Sequence, residues 1–254
     1  MPPRNAGPEA AASPALHVGS LHAGYGKLAV LSGVDLEVAR GEWLALLGPN
    51  ASGKTTLLHC IAGMLLPSAG SISIGGRSLR QEALGAKAQL GFGCAPERLP
   101  DLLTGRQCLE VYAAAKTLAA IDAEVLELAE AFAFTGMLDR FVASYSLGTK
   151  QKLAVLLALL GEPALVVLDE AFNGLDPASA LVLKRHLRAR VSAGRCGVIL
   201  ATHALDVVER YSDRAVLLLE GRIARDWSRE ELAALRAMPG EGLEAALAAA
   251  SAGS

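Results

Sequence analysis

The sequence predicts an α/β fold with a mainly parallel sheet, and three observations support this prediction. Short apolar runs typical of buried strands alternate with helical segments through the second half of the chain. Two such runs, WLALLG and ALVVLDE, lead into a Gly-rich turn and into two carboxylates. The 254 residues are 52% hydrophobic and 20% charged, which suits a globular core. Such alternation favours right-handed crossovers between parallel strands.

The first elements follow a polar N-terminus. Residues 1–15 begin MPPRNAGPEAAASP, which lacks the apolar run of a secretion signal, and we expect a flexible extension. Between residues 16 and 47, short β-like pieces are separated by glycines and end in WLALLG, a predicted buried strand. GPNASGKTTLLHCIAGML follows, and its second half has helical spacing. This order is strand, Gly-bearing loop, helix.

The middle and the end of the chain differ in character. SISIGGRSL predicts a short strand and turn, whereas residues 102–143 are rich in Ala, Leu and Glu and predict a helical insert without strands. The α/β pattern then returns as LAVLLALL, ALVVLDE, ASALVLKRHLRARV, CGVILATH, ALDVVERY and RAVLLLEG. The last segment, LEAALAAASAGS, is of low complexity, and we expect a marginal helix that frays and has no function.

Composition excludes several classes of protein. The formal net charge of -2 gives no basic field for nucleic acid, so no nucleic-acid partner is expected. The four cysteines are far apart and form no CxxC pair, which argues against a disulfide framework or a zinc site and suits a reducing compartment. Apolar runs fall short of the ~18 residues that a membrane-spanning helix needs, so no membrane span is expected.

Residues 48–55, GPNASGKT, match the phosphate-loop pattern G-x-x-x-x-G-K-[ST]. Backbone N–H groups of such a loop and of the following helix N-terminus surround phosphates. Lys54 would add a positive charge near the β and γ phosphates, and the Thr55 hydroxyl could bind Mg²⁺. An ordinary Gly-rich turn is the alternative, but the strand before and the helix after favour the phosphate loop.

Two further strands end in polar side chains. Asp169 and Glu170 end ALVVLDE, and functional groups of parallel sheets lie at the carboxyl ends of strands. We expect Asp169 in the Mg²⁺ shell and Glu170 to orient or deprotonate the water that attacks a γ-phosphate. His203, which follows VIL, would face the same edge. The alternative for all three is that they cap the next helix or are solvated.

Five motifs together resemble one family. GPNASGKTT, SYSLGTKQK, LVVLDE, NGLD and ATH occur in the order seen in ATP-binding-cassette (ABC) ATPases, the nucleotide-binding subunits of ABC transporters. SYSLGTKQK is similar to the signature that separates these proteins from other phosphate-loop ATPases. The resemblance implies a phosphate-loop NTPase of the ABC type over residues 16–225. It would have a RecA-like core, an antiparallel β subdomain and an inserted helical subdomain at about 98–150, with residues 226–254 as an Ala-rich extension.

The resemblance also implies a role for individual residues. Tyr25 would stack on adenine, and His203 would contact the γ-phosphate. Ser146 and Gly148 would begin the signature helix and reach across a dimer interface to the partner's ATP, and Asp176 would lie at the dimer seam. The remaining nucleotide-binding residues would be Gly48, Pro49, Asn50, Ala51, Ser52, Gly53, Lys54, Thr55 and Thr56. For Tyr25, simple packing is an alternative, and for Ser146 a helix cap is one.

The sequence departs from the family pattern at several positions. Glu97, after Pro96, stands where many members have Gln, and this form resembles that of bacterial exporter cassettes. A carboxylate at this position could still help to hold Mg²⁺ or water. Leu147 and Thr149 replace the commonest Gly and Gln of the signature, and Ala51 replaces a frequent Gly. Ser146, Gly148, Gly53, Lys54 and Thr55 still match the family pattern, so we expect a competent site and leave its rate open.

The expected function is that of an ATPase subunit that binds ATP and Mg²⁺. Two cassettes, either two copies or this chain with a second cassette, would close around two nucleotides and drive a separate transmembrane permease. The protein would then be cytoplasmic and attached to the inner face of the cell membrane. An ABC-2-type exporter is favoured over an importer.

Two other functions are alternatives. A non-transport ABC ATPase is disfavoured because no long coiled-coil insertion or second cassette is visible. A small-molecule kinase or GTPase would not need SYSLGTKQK, and no guanine-reading NKxD segment is present.

Overall fold

A computed structural model describes residues 13–237 and 242–252. Residues 1–12 of the predicted flexible extension lie outside these residues. Ala15, its last residue, is fully buried and accepts a hydrogen bond from the Gly75 N–H. The packed fold therefore includes the end of the segment that was predicted to be flexible.

The larger sheet has six strands in the order β10-β9-β3-β8-β7-β6. Its strands are β3 (Trp43–Leu47), β6 (Leu90–Gly93), β7 (Leu165–Asp169), β8 (Gly197–Ala201), β9 (Arg214–Leu219) and β10 (Arg222–Trp227). Five strands are parallel, and only the edge strand β10 is antiparallel to its neighbour among the described residues. The mainly parallel sheet predicted from the alternation of strands and helices is confirmed.

The smaller sheet is antiparallel and has the order β2-β1-β4-β5. Its strands are β1 (Leu16–Tyr25), β2 (Leu28–Val38), β4 (Ala69–Ile74) and β5 (Arg77–Ser78). Buried and more exposed residues alternate along much of β1, as expected for a strand with one face on the core. A shared apolar cluster joins this face to the helix that follows the phosphate loop.

Nine helices accompany the two sheets in the described part of the chain. They are α1 (Lys54–Ile61), α2 (Ala83–Ala88), α3 (Gly105–Ala115), α4 (Ala123–Ala131), α5 (Leu147–Leu159), α6 (Pro177–Ser192), α7 (Leu205–Tyr211), α8 (Arg229–Ala237) and α9 (Gly242–Ala252). Residues 102–143, the predicted helical insert, contain α3, α4 and short 3₁₀ turns and no named strand. None of the helices in the described ranges is long and apolar enough to cross a bilayer.

Helix α5 is buried along most of its length between the helical insert and the large sheet. Gly91 of β6 makes this approach possible, because a Cβ at this position would lie 1.9 Å from the Ala158 carbonyl oxygen. From Leu153 to Leu159 the side chains of α5 are buried and apolar on every face, which is why LAVLLALL shows no amphipathic stripe.

The C-terminal region differs from the sequence prediction. The expected domain boundary at residue 225 falls inside β10, whose Trp227 is buried. The predicted marginal helix is also a packed element here, because Leu243 of α9 is 1% exposed in a third apolar cluster with α7, α8 and β9. Tertiary burial compensates for the weak amphipathic pattern of this segment. Residues 253–254 lie outside the described residues.

Candidate functional site

The phosphate-loop segment, residues 48–53, connects the buried strand β3 to α1. Gly48 has φ 149°, and a Cβ there would lie 2.4 Å from the Leu218 carbonyl oxygen, so only glycine fits. Gly53, with φ 106°, ends the loop, and no side chain caps α1. The first N–H groups of α1 are therefore available to an anion at the loop.

Lys54 lies over its own loop. Its Nζ donates to the carbonyl oxygens of Gly48 at 2.5 Å and Pro49 at 3.0 Å. Burial lowers the pKa of the ammonium, and the nearby charges of Asp169 and Glu170 partly oppose this shift. The Ser52 hydroxyl is buried and has no hydrogen-bond partner among the described residues. The loop thus presents a cation and an unsatisfied hydroxyl together.

Thr55 and Asp169 approach each other across the gap between α1 and β7. The Thr55 hydroxyl donates to Asp169 Oδ2 at 3.5 Å. Burial raises the pKa of Asp169, and the Lys54 charge opposes the shift. A hydroxyl beside a carboxylate is a donor set that Mg²⁺ accepts, so these two residues fit the ion that the sequence predicts.

Glu170 follows β7 directly and is held in the left-handed region at φ 47°. Its Oε2 accepts hydrogen bonds from Asn173 Nδ2 at 3.2 Å and from the Thr202 hydroxyl at 3.3 Å. Its Oε1 is buried without a hydrogen-bond partner in the described part of the chain and lies 3.7 Å from His203 Nε2. One carboxylate oxygen is therefore fixed and the other remains available to a ligand.

A cleft of about 790 Å³ connects these groups. Tyr25 lines the cleft and is half exposed. The other predicted residues that line it are Pro49, Asn50, Ala51, Ser52, Gly53, Lys54, Thr55, Thr56, Glu97, Asp169, Glu170 and His203. The cleft therefore collects residues from the loop and from the carboxyl ends of three strands, which is where parallel sheets bind ligands.

Ser146, Gly148 and Asp176 are not among the residues that line this cleft. The Ser146 hydroxyl accepts from the Thr149 N–H at 3.2 Å and caps α5. A Cβ on Gly148 would lie 2.4 Å from the Gly174 carbonyl oxygen, so glycine lets α5 meet this loop closely. The helix N-terminus and the NGLD loop, residues 173–176, form one adjoining surface.

Asp176 caps α6 and is saturated with donors. It accepts from the Ser179 N–H at 2.9 Å and from the Ser179 hydroxyl at 2.7 Å, and it pairs with Lys152 Nζ at 2.8 Å. These donors, Lys152 first, hold the pKa of Asp176 well below its usual value. Asp176 is thus a structural cap as well as a candidate interface residue.

Two residues that contact Glu170 received no role in the sequence analysis. Asn173 lies in NGLD, and Thr202 lies in ATH, so both were within motifs that the sequence singled out. Their convergence on one carboxylate depends on the neighbouring positions of β7 and β8 in the sheet. His59 of α1 also lines the cleft, and burial lowers its pKa.

Comparisons with known proteins identify the family of the chain. The family model for ABC transporter matches residues 31–173, more than half of the chain. The chain is 34% identical over 217 residues to the ABC transporter ATP-binding protein YdbJ of Bacillus subtilis, covering 85% of this chain and 70% of that protein. It is 34% identical to the daunorubicin resistance ATP-binding protein DrrA3 of Streptomyces coeruleorubidus, covering 83% and 67%.

A third relative and two solved structures complete the comparison. The methionine import ATP-binding protein MetN of Brucella abortus is 33% identical, over 86% of this chain and 61% of that protein. A solved ATP-binding subunit of an ABC transporter superposes with a TM-score of 0.84 at 32% identity, covering 93% of this chain and 99% of that one. A dimeric ATP-binding cassette in a post-hydrolysis state with ADP and Pi shares the fold, with a TM-score of 0.76 at 21% identity over 84% and 98%.

The matched family region contains the phosphate loop, the strand that ends in Asp169 and Glu170, and the capped helix α5. Most of the residues that line the cleft lie within this matched region. The chain therefore belongs to the ABC transporter family, as one of its ATP-binding ATPase cassettes.

Proposed function

We propose that this chain is the ATPase subunit of an ABC exporter and that it acts with a separate membrane permease. One observation carries the proposal: the cleft collects Lys54, Asp169 and Glu170, while the capped start of α5 lies beside it with Leu147 exposed. A helix N-terminus carries a partial positive charge that suits a phosphate. The second wall of the site then comes from another cassette, either a second copy or a different chain.

The polar residues of the cleft divide the work of ATP hydrolysis. Lys54 and the loop N–H groups bind the phosphates. Thr55, Asp169 and Glu97 would hold Mg²⁺, which would supply positive charge to neutralise the phosphates. Glu170, fixed through one oxygen, uses the other to orient or deprotonate the attacking water.

Three further residues act at the edge of the site and at the dimer seam. Tyr25 is exposed enough to stack on adenine. His203, which lines a groove together with the phosphate loop, contacts the γ-phosphate. Ser146 and Gly148 present α5 to the ATP of the partner cassette, and Asp176 holds the neighbouring loop in place.

The direction of transport is the most specific part of the proposal. The Pro96-Glu97 pair and the likeness to a daunorubicin resistance protein support export, whereas the likeness to a methionine import protein is slightly lower in identity. We place the protein in the cytoplasm, on the inner face of the cell membrane, through its permease.

The first experiment is a pull-down from detergent-solubilised native membranes with tagged Glu170→Gln protein, ATP and Mg²⁺. This variant keeps every phosphate contact of the loop but loses the base, so we expect a stable ATP-bound dimer that retains the permease. Recovery of a polytopic membrane protein that also stimulates wild-type ATPase activity after reconstitution would support the proposal.

Lys54→Ala is the matched control. It removes the ammonium that the phosphates need, so it should lose ATP binding, turnover and the ATP-dependent capture together. Recovery of only soluble or ribosomal components by a Glu170→Gln dimer would instead assign the chain to the non-transport ABC ATPases. Normal hydrolysis by Lys54→Ala would contradict the phosphate-loop assignment itself.

A further inference from the structure

Helices α8 and α9, called here the C-terminal unit, pack against the short helix α7. Val208 of α7 is fully buried in the third apolar cluster, together with Leu232 of α8 and Leu243 of α9. Leu205 of α7 and Leu247 of α9 are partly buried against the same cluster. One side of α7 is therefore covered by residues that lie beyond the region matched by the family model.

Helix α7 depends on this packing for its position. It has seven residues, and no side-chain hydrogen bond caps its N-terminus. Isolated helices shorter than about 12 residues are marginal in water, so tertiary contacts determine where such a helix lies. Only Val207 and Val208 of α7 are buried, and they face two different clusters. Loss of one cluster would leave the helix attached on one side alone.

The C-terminal unit contacts α7 at both ends. Arg236 of α8 donates through Nη2 to the carbonyl oxygens of Val208, at 3.4 Å, and Ser212, which satisfies the end of the helix. At the other end, Leu247 of α9 lines a groove of about 580 Å³ that also includes Leu205, His203 and the phosphate loop. The bonds from Arg236 and the groove that Leu247 lines thus place the C-terminal unit beside both ends of α7.

His203 lies between β8, in the centre of the sheet, and α7. Its Nε2 is 3.7 Å from the Glu170 oxygen that has no hydrogen-bond partner in the described chain. We propose that the C-terminal unit positions His203 for ATP hydrolysis, with Arg236 and Leu247 as positioning residues. This inference rests on the proposed role of His203. It gives a function to the segment for which the sequence predicted none.

The test compares Arg236→Gln and Leu247→Ala with Arg225→Gln in the full chain. Arg225 is the matched control. It pairs with Glu231 of α8 at 2.7 Å on the surface, and among the described residues it has no hydrogen bond or ion pair with α7. A displaced catalytic group lowers turnover more than substrate binding. We expect kcat to fall about five- to tenfold in both test variants, with KM for ATP within about twofold of wild type.

Arg236→Lys supplies a rescue, since lysine also donates to carbonyl oxygens at a helix end. It should recover at least about half of the lost kcat. Hydrogen exchange over residues 203–211 should be faster in Arg236→Gln and Leu247→Ala than in Arg225→Gln. All kinetics are measured well below the melting temperature of each variant, so that unfolding does not contribute.

Two results would overturn the inference. Values of kcat equal to that of Arg225→Gln in both test variants would remove the positioning role, and so would a rise in KM at unchanged kcat. His203→Ala separates this inference from the function on which it rests. If His203→Ala hydrolyses ATP at the wild-type rate, the role of His203 itself is wrong. If it is slow while the test variants are normal, only the positioning role is wrong.

Discussion

Acidic residues lie at both ends of the parallel strands in the six-stranded sheet, called here the carboxyl edge and the amino edge. The bonding of these residues differs between the two ends. At the carboxyl edge, Glu170 follows β7 and keeps one oxygen buried without a hydrogen-bond partner among the described residues. At the amino edge, Asp213 precedes β9 and accepts hydrogen bonds from the Trp43 N–H at 2.9 Å and from Arg188 at 2.9 Å. It also forms an ion pair with Arg229 at 2.9 Å. The unsatisfied carboxylate is the proposed base of the reaction, and the saturated one holds elements together.

This comparison teaches how to distinguish a functional charge from a structural one. Both side chains are mostly buried, since that of Asp213 is 13% exposed and that of Glu170 is 29% exposed. Burial alone therefore does not show which of the two is functional. The difference lies in how many of the lone pairs of each carboxylate the protein itself uses. Substitution at the carboxyl edge should therefore change rates, and substitution at the amino edge should change stability.

The largest expected effect is that of Glu170→Gln on turnover. Removal of a general base should lower kcat by at least about 100-fold. ATP binding should persist, because the phosphate loop is untouched. Urea unfolding without nucleotide should show stability close to that of wild type, because the amide oxygen of glutamine can still accept the hydrogen bonds from Asn173 and Thr202. Wild-type turnover would show that Glu170 is not the base, and a large loss of stability would break the contrast between the edges.

Asp213→Asn should produce the opposite result. The amide nitrogen would face donors from two arginines, so we expect the free energy of unfolding to fall by about 2–4 kcal/mol. ATPase activity well below the melting temperature should stay within about twofold of wild type. Urea titration and steady-state kinetics measure the two quantities. A kcat that falls more than tenfold in a folded variant would contradict the structural role.

Cysteine labelling tests the contrast without changing any charge. Cys94 follows β6 at the carboxyl edge and lines the cleft, whereas Cys196 precedes β8 at the amino edge and is fully buried. Burial raises the pKa of both thiols, so reaction with maleimide at pH 8 should be slow. We expect Cys94 of the native protein to react about tenfold faster than Cys196. ATP should slow the reaction of Cys94, which lines the cleft.

The control for labelling is Cys94→Ser, which should leave the native protein almost unreactive. Labelling at Cys196 before Cys94, measured by mass spectrometry of peptides, would contradict the assignment of the two edges.

Asp176 gives the smallest effect and sharpens the comparison, because it is a saturated carboxylate near the functional edge. Since its folded-state pKa lies below the unfolded-state value of about 3.9, its contribution to stability is present above pH 4 and lost as pH falls further. Asp176→Ala should cost about 1 kcal/mol at pH 7, or a few degrees in Tm, for the lost helix cap.

The difference in Tm between wild type and Asp176→Ala should narrow below pH 4. Asp176→Asn keeps a good capping residue but not the charge, so its Tm at pH 7 should lie between those of wild type and Asp176→Ala. A difference that widens in acid would contradict this account.

Much of the fold and of the cleft could be predicted from the sequence, since those elements have local signals. The phosphate loop is contiguous, and the strand that ends in Asp169 is a continuous apolar run. Position in a parallel sheet then brings strand ends together without further information. The roles of the individual cleft residues and of Ser146, Gly148 and Asp176 stay predictions until the variants are measured.

What could not be predicted depends on contacts between distant segments. The left-handed backbone of Glu170 has no signal in its residue type, because glutamate rarely adopts positive φ. The bonds from Asn173 and Thr202 to Glu170 need the neighbouring strands β7 and β8. Helix α9 looked marginal because alanine gives little amphipathic pattern, and its partners on α7 and β9 come from a separate part of the chain.

The hydrogen bonds of Lys54 to its own loop have a consequence for the kinetics of nucleotide capture. These two bonds brace the curved shape of the loop from within the chain itself. A triphosphate then only replaces the two carbonyl oxygens as acceptors for Lys54. It does not have to order the loop, because folding has already ordered it, so binding costs little conformational entropy. Association should then be limited by diffusional encounter, and differences in affinity among loop variants should be found in the dissociation rate.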